Sequence, residues 1–167
     1  MPRRASGLLS ALAGGCLLAA CATGPGPAEV AAAPRDLAGR TVLVAGGSGR
    51  VGRYVIERLQ DEGLPFRATT RSLAEARERL GAAAAGVDWI ELDVREPAEV
   101  AGAMRGIDLV ISVIGANQVG GPNGPEQVDY GGVRNLVDAA VAACVEHFVL
   151  LTAIGVTDPE HPFNKAT

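Results

Sequence analysis

The chain has 167 residues, 48% of them apolar and 20% charged, the composition of a globular protein rather than a disordered one. Its net charge of −4, with no stripe of Lys or Arg, argues against nucleic acid as a partner, since a phosphate backbone demands a basic face. Aromatics are only 4%, so a core has to come from Val, Leu, Ile and Ala, which suits a parallel sheet covered by helices.

The N-terminus reads as an export signal. Arg3 and Arg4 form a basic opening, and the apolar, small-residue run from Leu8 to Ala20 is too short to span a bilayer comfortably. It closes as Leu18-Ala19-Ala20-Cys21, which resembles the lipobox of bacterial lipoproteins, where cleavage leaves the cysteine as a lipid-carrying N-terminus. The expectation is a signal over residues 1–21, lipidation at Cys21, and a membrane-attached protein facing the periplasm or exterior. A mis-assigned start codon would instead make the domain cytoplasmic. Cys16 follows Ala13-Gly14-Gly15, a poorer match. With those two cysteines accounted for, Cys144 has no disulfide partner. It falls in a helical pattern and reads as a small core residue. Residues 22–39 are rich in Ala, Pro and Gly and read as a flexible linker.

The folded domain is expected over residues 40–167. TVLVA is a buried strand. A helix follows from Arg50 to Glu62, with Val51, Tyr54, Val55, Arg58 and Leu59 at helical spacing and Gly63 and Pro65 as stop signals. PFRATT is a second strand. Ser72 can cap a helix through Leu73, Ala76 and Leu80, closed by Gly81. VDWIEL is a third strand, and Pro97 opens a short helix to Met104. IDLVISVIG is a fourth strand, and the Gly/Pro loop ANQVGGPNGPEQ leads to a helix from Val128 to Val145. Its apolar positions are Val133, Leu136, Val137, Ala140, Val141 and Cys144. HFVLLTA is the fifth strand. Strand–helix alternation of this kind predicts an α/β fold of three layers, α/β/α, with a doubly wound parallel sheet of about five strands.

The first strand runs into Gly46, Gly49 and Gly52, spaced G-x-x-G-x-x-G. Gly46 permits a tight bend, Gly49 lets the backbone approach a pyrophosphate, and Gly52 lets the helix lie close on the strand. A phosphate would then sit at the helix N-terminus, where amides and the dipole favour an anion. Gly47, Ser48, Arg50 and Val51 belong to the same loop, and Ser48 and Arg50 can add a hydroxyl and a charge. NAD-preferring sites place Asp or Glu at the end of the second strand to hold the ribose hydroxyls. This chain has Arg71 there, which suits the 2′-phosphate of NADP, or is simply a solvated arginine at a helix start. At the end of the third strand Asp93 can accept from an adenine amino group while Val94 packs on the ring. A turn-capping Asp93 is the alternative.

Taken together, VLVAGGSGRVGRYVIERL, RATTRS, ELDVREPAEV, DLVISVIGA, VDYGGVRNLVDAA and HFVLLTAIGVTDPEHPFN resemble the atypical short-chain dehydrogenase/reductase group of NmrA-like, NAD(P)H-binding proteins, over about residues 40 to 164. The resemblance implies a Rossmann domain holding NADP(H), rather than NAD(H), at Gly46, Ser48, Gly49, Arg50, Val51, Arg71, Asp93 and Val94, with Ile114 and Gly115 flanking the nicotinamide ribose. Active relatives also carry a hydroxyl after the fifth strand and a later Tyr-x-x-x-Lys pair, in which Tyr transfers the proton and Lys lowers its pKa. Here Thr152 keeps one hydroxyl, Ala153 stands where many relatives have Ser, and Lys165, the only lysine, has no tyrosine partner. Tyr54 and Tyr130 precede the fifth strand and read as packing or helix-surface residues.

The functional expectation is therefore an NADP-preferring dinucleotide-binding protein, an oxidoreductase if active. The alternatives are a non-catalytic sensor or assembly module, and the N-terminal piece of a longer protein. An open sheet edge would allow pairing with a second copy. No metal site is expected, since His147 and His161 lack ligand spacing.

Overall fold

The computed structural model describes residues 37–118 and 120–153. The expected signal, Cys21, most of the linker, and residues 154–167 with His161 and Lys165 lie outside that range.

Five short strands carry the fold: β1 (Val42–Ala45), β2 (Phe66–Thr70), β3 (Asp88–Glu91), β4 (Leu109–Ser112) and β5 (His147–Leu150). All pair in parallel, in the order β3-β2-β1-β4-β5. The connections are helices α1 (Gly52–Asp61), α2 (Leu73–Leu80), α3 (Pro97–Ala103) and α4 (Val133–Ala142). The strand order reverses at β1, which creates the crevice at the C-terminal ends of β1 and β4 where doubly wound folds bind ligands.

β1 is buried along its whole length, and its alternating side chains feed two cores. Val42 and Val44 pack with Ile56 and Leu59 of α1 and with Ala68. Leu43 and Ala45 pack on the opposite face with Val100 and Ala103 of α3, Val110, and Leu136 and Ala140 of α4. Helices on both faces make the three layers. At the other end of the sheet, the Thr41 amide donates to the Asp108 carboxylate at 2.8 Å, which fixes β4 against β1.

Several elements differ from their sequence reading. α1 begins at Gly52 rather than Arg50, because Arg50 and Val51 are spent on the turn before it. Val51, which the helical spacing grouped with Val55 and Leu59, is exposed, Tyr54 lies on the helix surface, and the face that packs inward is Gly52, Ile56 and Leu59. The single helix expected from Val128 to Val145 is two pieces. Glu126–Gly132 winds as a wider π-helix and runs directly into α4. Val137 and Val141 are exposed and only Leu136 and Ala140 are buried, since α4 turns its narrow face to α3 and the sheet.

Cys144 is not a core residue. It is exposed, with φ +56°, and forms the left-handed turn that ends α4. The Val145 amide donates to the Ala140 carbonyl and the Cys144 amide to that of Val141, the paired bonds of a Schellman ending. β5 stops at Leu150, and Val149, Leu150 and Leu151 are exposed at what is the outer edge of the described sheet.

Candidate functional site

The site begins where β1 ends. The chain turns at Gly46 with φ +86°, a conformation that strains any residue with a side chain. The Gly46 amide donates to Thr69 Oγ1 at 3.1 Å and the Gly47 amide to the Thr69 carbonyl at 3.0 Å, so the turn is tied to the end of β2. A Cβ on Gly47 would lie 2.8 Å from Ala68 Cβ. A Cβ on Gly52 would lie 2.3 Å from the Gly46 carbonyl oxygen. Only glycine lets α1 start this close to the turn. Among the described residues no backbone carbonyl accepts from the amides of Arg50 and Val51, and the first turn of α1 carries no acidic side chain. These donors sit at the positive end of the helix dipole, a place made for a phosphate.

A cleft of about 610 Å³ opens above this turn, a volume in the range of small-molecule sites. Ten of the residues singled out from sequence wall it: Gly46, Ser48, Gly49, Arg50, Val51, Arg71, Asp93, Val94, Ile114 and Gly115. Gly47 and Gly52 lie beneath the turn, buried, and shape it from below. Thr152 lies past the end of β5, exposed, and is not part of the wall.

At the β2 end, the hydroxyls of Ser48 and Thr70 are 3.0 Å apart, and Arg79 of α2 donates to the Ser48 carbonyl at 3.2 Å. Arg71 stands exposed beside them and donates to Asn123 Oδ1 at 3.0 Å. Ser72 caps α2 by accepting from the Glu75 amide, as expected. Glu75 and Arg79, four residues apart on α2, both line the cleft, so the face of α2 that continues from the Ser72 cap borders it. Thr69, Thr70, Glu75, Arg79 and Arg95 all line the cleft and were not singled out from sequence. Only the Ser72–Glu75–Arg79 spacing could have signalled any of them.

At the β3 end, Asp93 is held by Arg95, whose Nε lies 2.9 Å from Oδ1 and 3.0 Å from Oδ2 and whose backbone amide donates to Oδ1 at 3.0 Å. The hydrogen bond from Arg95 keeps the Asp93 carboxyl below its ordinary value, against the opposing pull of burial, with a further lowering from the Arg71 charge. Asp93 is thus an ionised acceptor whose orientation is fixed by its own neighbour. Val94 is buried next to it, and a Cβ on Gly132 would come 2.7 Å from Val94 Cγ2, so Gly132 is what lets the π-helical segment close over β3. A second, shallower hollow of about 630 Å³ lies outside α3 and α4. Its cations are already matched, Arg134 with Asp138 at 3.7 Å and Arg95 with Asp93, and no glycine turn opens into it.

A glycine turn with unpaired amides, a polar wall beyond β2 and an apolar stretch of wall at Val94 and Ile114 together fit a dinucleotide. The sequence pattern of the NAD(P)H-binding family matches residues 46–167. The chain belongs to the NAD(P)H-binding family. An NAD(P)H azoreductase from Xenophilus azovorans is 39% identical over 121 residues, covering 72% of this chain and 38% of the azoreductase. A short-chain dehydrogenase/reductase superfamily protein from Agrobacterium tumefaciens, solved with bound NAD, is 27% identical with a TM-score of 0.57, over 74% of this chain and 35% of that one. ChuY, an anaerobillin reductase from Escherichia coli O157:H7, is 28% identical with a TM-score of 0.54, over 69% of this chain and 52% of that one. The chain spans less than half the length of the curated relatives it matches.

Proposed function

We propose that this NAD(P)H-binding domain takes NADP(H) in preference to NAD(H) and serves as the cofactor half of an oxidoreductase. The observation that carries the preference is Arg71. It stands at the end of β2, where a carboxylate would read the ribose hydroxyls of NAD, and it borders the cleft together with Arg50 and Arg79. The turn amides and α1 would hold the pyrophosphate, Val94 would pack on the adenine, and Ile114 and Gly115 would border the nicotinamide ribose. The bound cofactor would supply the hydride.

Titration with NADPH and NADH tests the preference. Tighter binding of NADPH is expected, with its advantage reduced about tenfold or more in Arg71→Ala. Equal affinities in the unmodified chain would refute it. A second reading keeps the cofactor but not the hydride transfer, as a sensor or assembly module. Thr152, exposed and off the cleft, favours it. NADPH consumption in the presence of azo or quinone acceptors separates the two.

The same proposal includes export, with lipid on Cys21 and attachment to a bacterial membrane. Palmitate labelling that is lost in Cys21→Ser supports this, and an unlabelled chain refutes it.

A further inference from the structure

The order of the sheet places β2 and β3 on one side of β1 and β4 on the other. The connection from β4 to α4 nevertheless reaches back to both. Its short turn Gly121–Asn123 is held from two sides: Arg71 donates to Asn123 Oδ1 at 3.0 Å, and Arg95 donates to the Pro122 carbonyl. The turn is tight. The Gly124 amide donates to the Gly121 carbonyl at 3.0 Å, and a Cβ on Gly124 would come 2.8 Å from Gly120 Cα.

Arginine has no acceptor, so the Asn123 amide must present its oxygen to Arg71. A neutral oxygen occupies one of the five guanidinium N–H groups and adds no negative charge to the one Asp93 already brings nearby. A carboxylate in its place would orient the group equally well and neutralise it. We propose that Asn123 is a positioning residue for cofactor specificity, tethering the Arg71 guanidinium at the ribose end of the cleft without quenching its charge. The inference rests on the reading that Arg71 recognises the 2′-phosphate. An exposed, untethered arginine side chain loses rotamer freedom when it meets a phosphate, and a pre-oriented one loses less.

The test is the ratio of NADPH to NADH affinity in the full chain, measured for Asn123→Ala, Asn123→Asp and Asn123→Gln, with Arg71→Ala alongside. Asn123→Ala is expected to lower the ratio about threefold to tenfold by weakening NADPH alone. Asn123→Asp is expected to lower it at least as far, and Asn123→Gln, with a neutral amide of longer reach, to retain more of it than Asn123→Ala. A wild-type ratio in Asn123→Ala or Asn123→Asp overturns the proposal, as does an equal loss of NADH binding. If Arg71→Ala lowers the ratio in those cases, the reading of Arg71 still stands. A wild-type ratio in Arg71→Ala overturns both.

Discussion

The missing Cβ of Gly52 would lie 2.3 Å from the carbonyl oxygen of Gly46, across the turn that joins β1 to α1. The obstacle is backbone, so no side-chain rotation relieves it. At Gly49 a Cβ would meet the same oxygen at 3.1 Å, a tight but tolerable approach. Gly52→Ala is therefore expected to destabilise the domain by about 1–3 kcal/mol or more. Gly49→Ala should cost less stability while its methyl group crowds the cleft. Urea unfolding of the two variants beside a binding titration checks the split. Equal stability losses would contradict it.

The Asp93–Arg95 pair carries a pH prediction. The folded-state carboxyl lies below its ordinary value of 3.8. Its contribution to stability is fully present above that value and is lost as the pH falls through the lowered one. Asp93→Asn should melt below the wild type at neutral pH. The gap should close on acidification, once Asp93 itself is protonated. Melting curves across that range test this, and a gap that persists or widens in acid would contradict the pairing.

Leu136 is fully buried between α4 and the sheet, whereas Val141, five residues further along and turned to the opposite side of the helix, is 73% exposed. Leu136→Ala is expected to cost about 2–5 kcal/mol. Val141→Ala should stay within about 0.5 kcal/mol. Comparable losses would mean that α4 presents a different face.

Cys144 adopts a left-handed conformation that glycine adopts without strain. Cys144→Gly is expected to raise stability by on the order of 1 kcal/mol. A loss of stability measured in urea would contradict the left-handed ending of α4.

The contrast between Gly63 and Cys144 shows what was legible in the sequence. Both occupy the same position in the same kind of helix ending. The Leu64 amide donates to the Leu59 carbonyl beyond α1, as the Val145 amide does to the Ala140 carbonyl beyond α4. Gly63 signals the stop by its own chemistry, and that end of α1 is read correctly. Cys144 gives no signal, and the periodic run of apolar residues carries the reading past the true end. Exposed Val137 and Val141 mislead for a related reason, since apolar spacing cannot say how wide a face the neighbours will cover. The glycine turn, the Ser72 cap and the doubly wound parallel sheet were readable because local backbone chemistry or connectivity dictates them. Arg95, from the turn after β3, reaches the cleft and Asn123, from the β4–α4 connection, reaches Arg71 by tertiary folding, and no local pattern announces either meeting.

The central claim is that the Gly46–Gly52 turn holds a nicotinamide dinucleotide. The chain has a single tryptophan, Trp89, and its Cζ3 atom lies 3.2 Å from where a Cβ on Gly47 would stand. Excitation of Trp89 can therefore be read as sensitised emission from NADPH bound over the turn. The account predicts a saturable rise in that emission on titrating the full chain, reversed by excess NADP⁺. A folded chain, shown by a cooperative melt, that gives no saturable signal and no competition would contradict it.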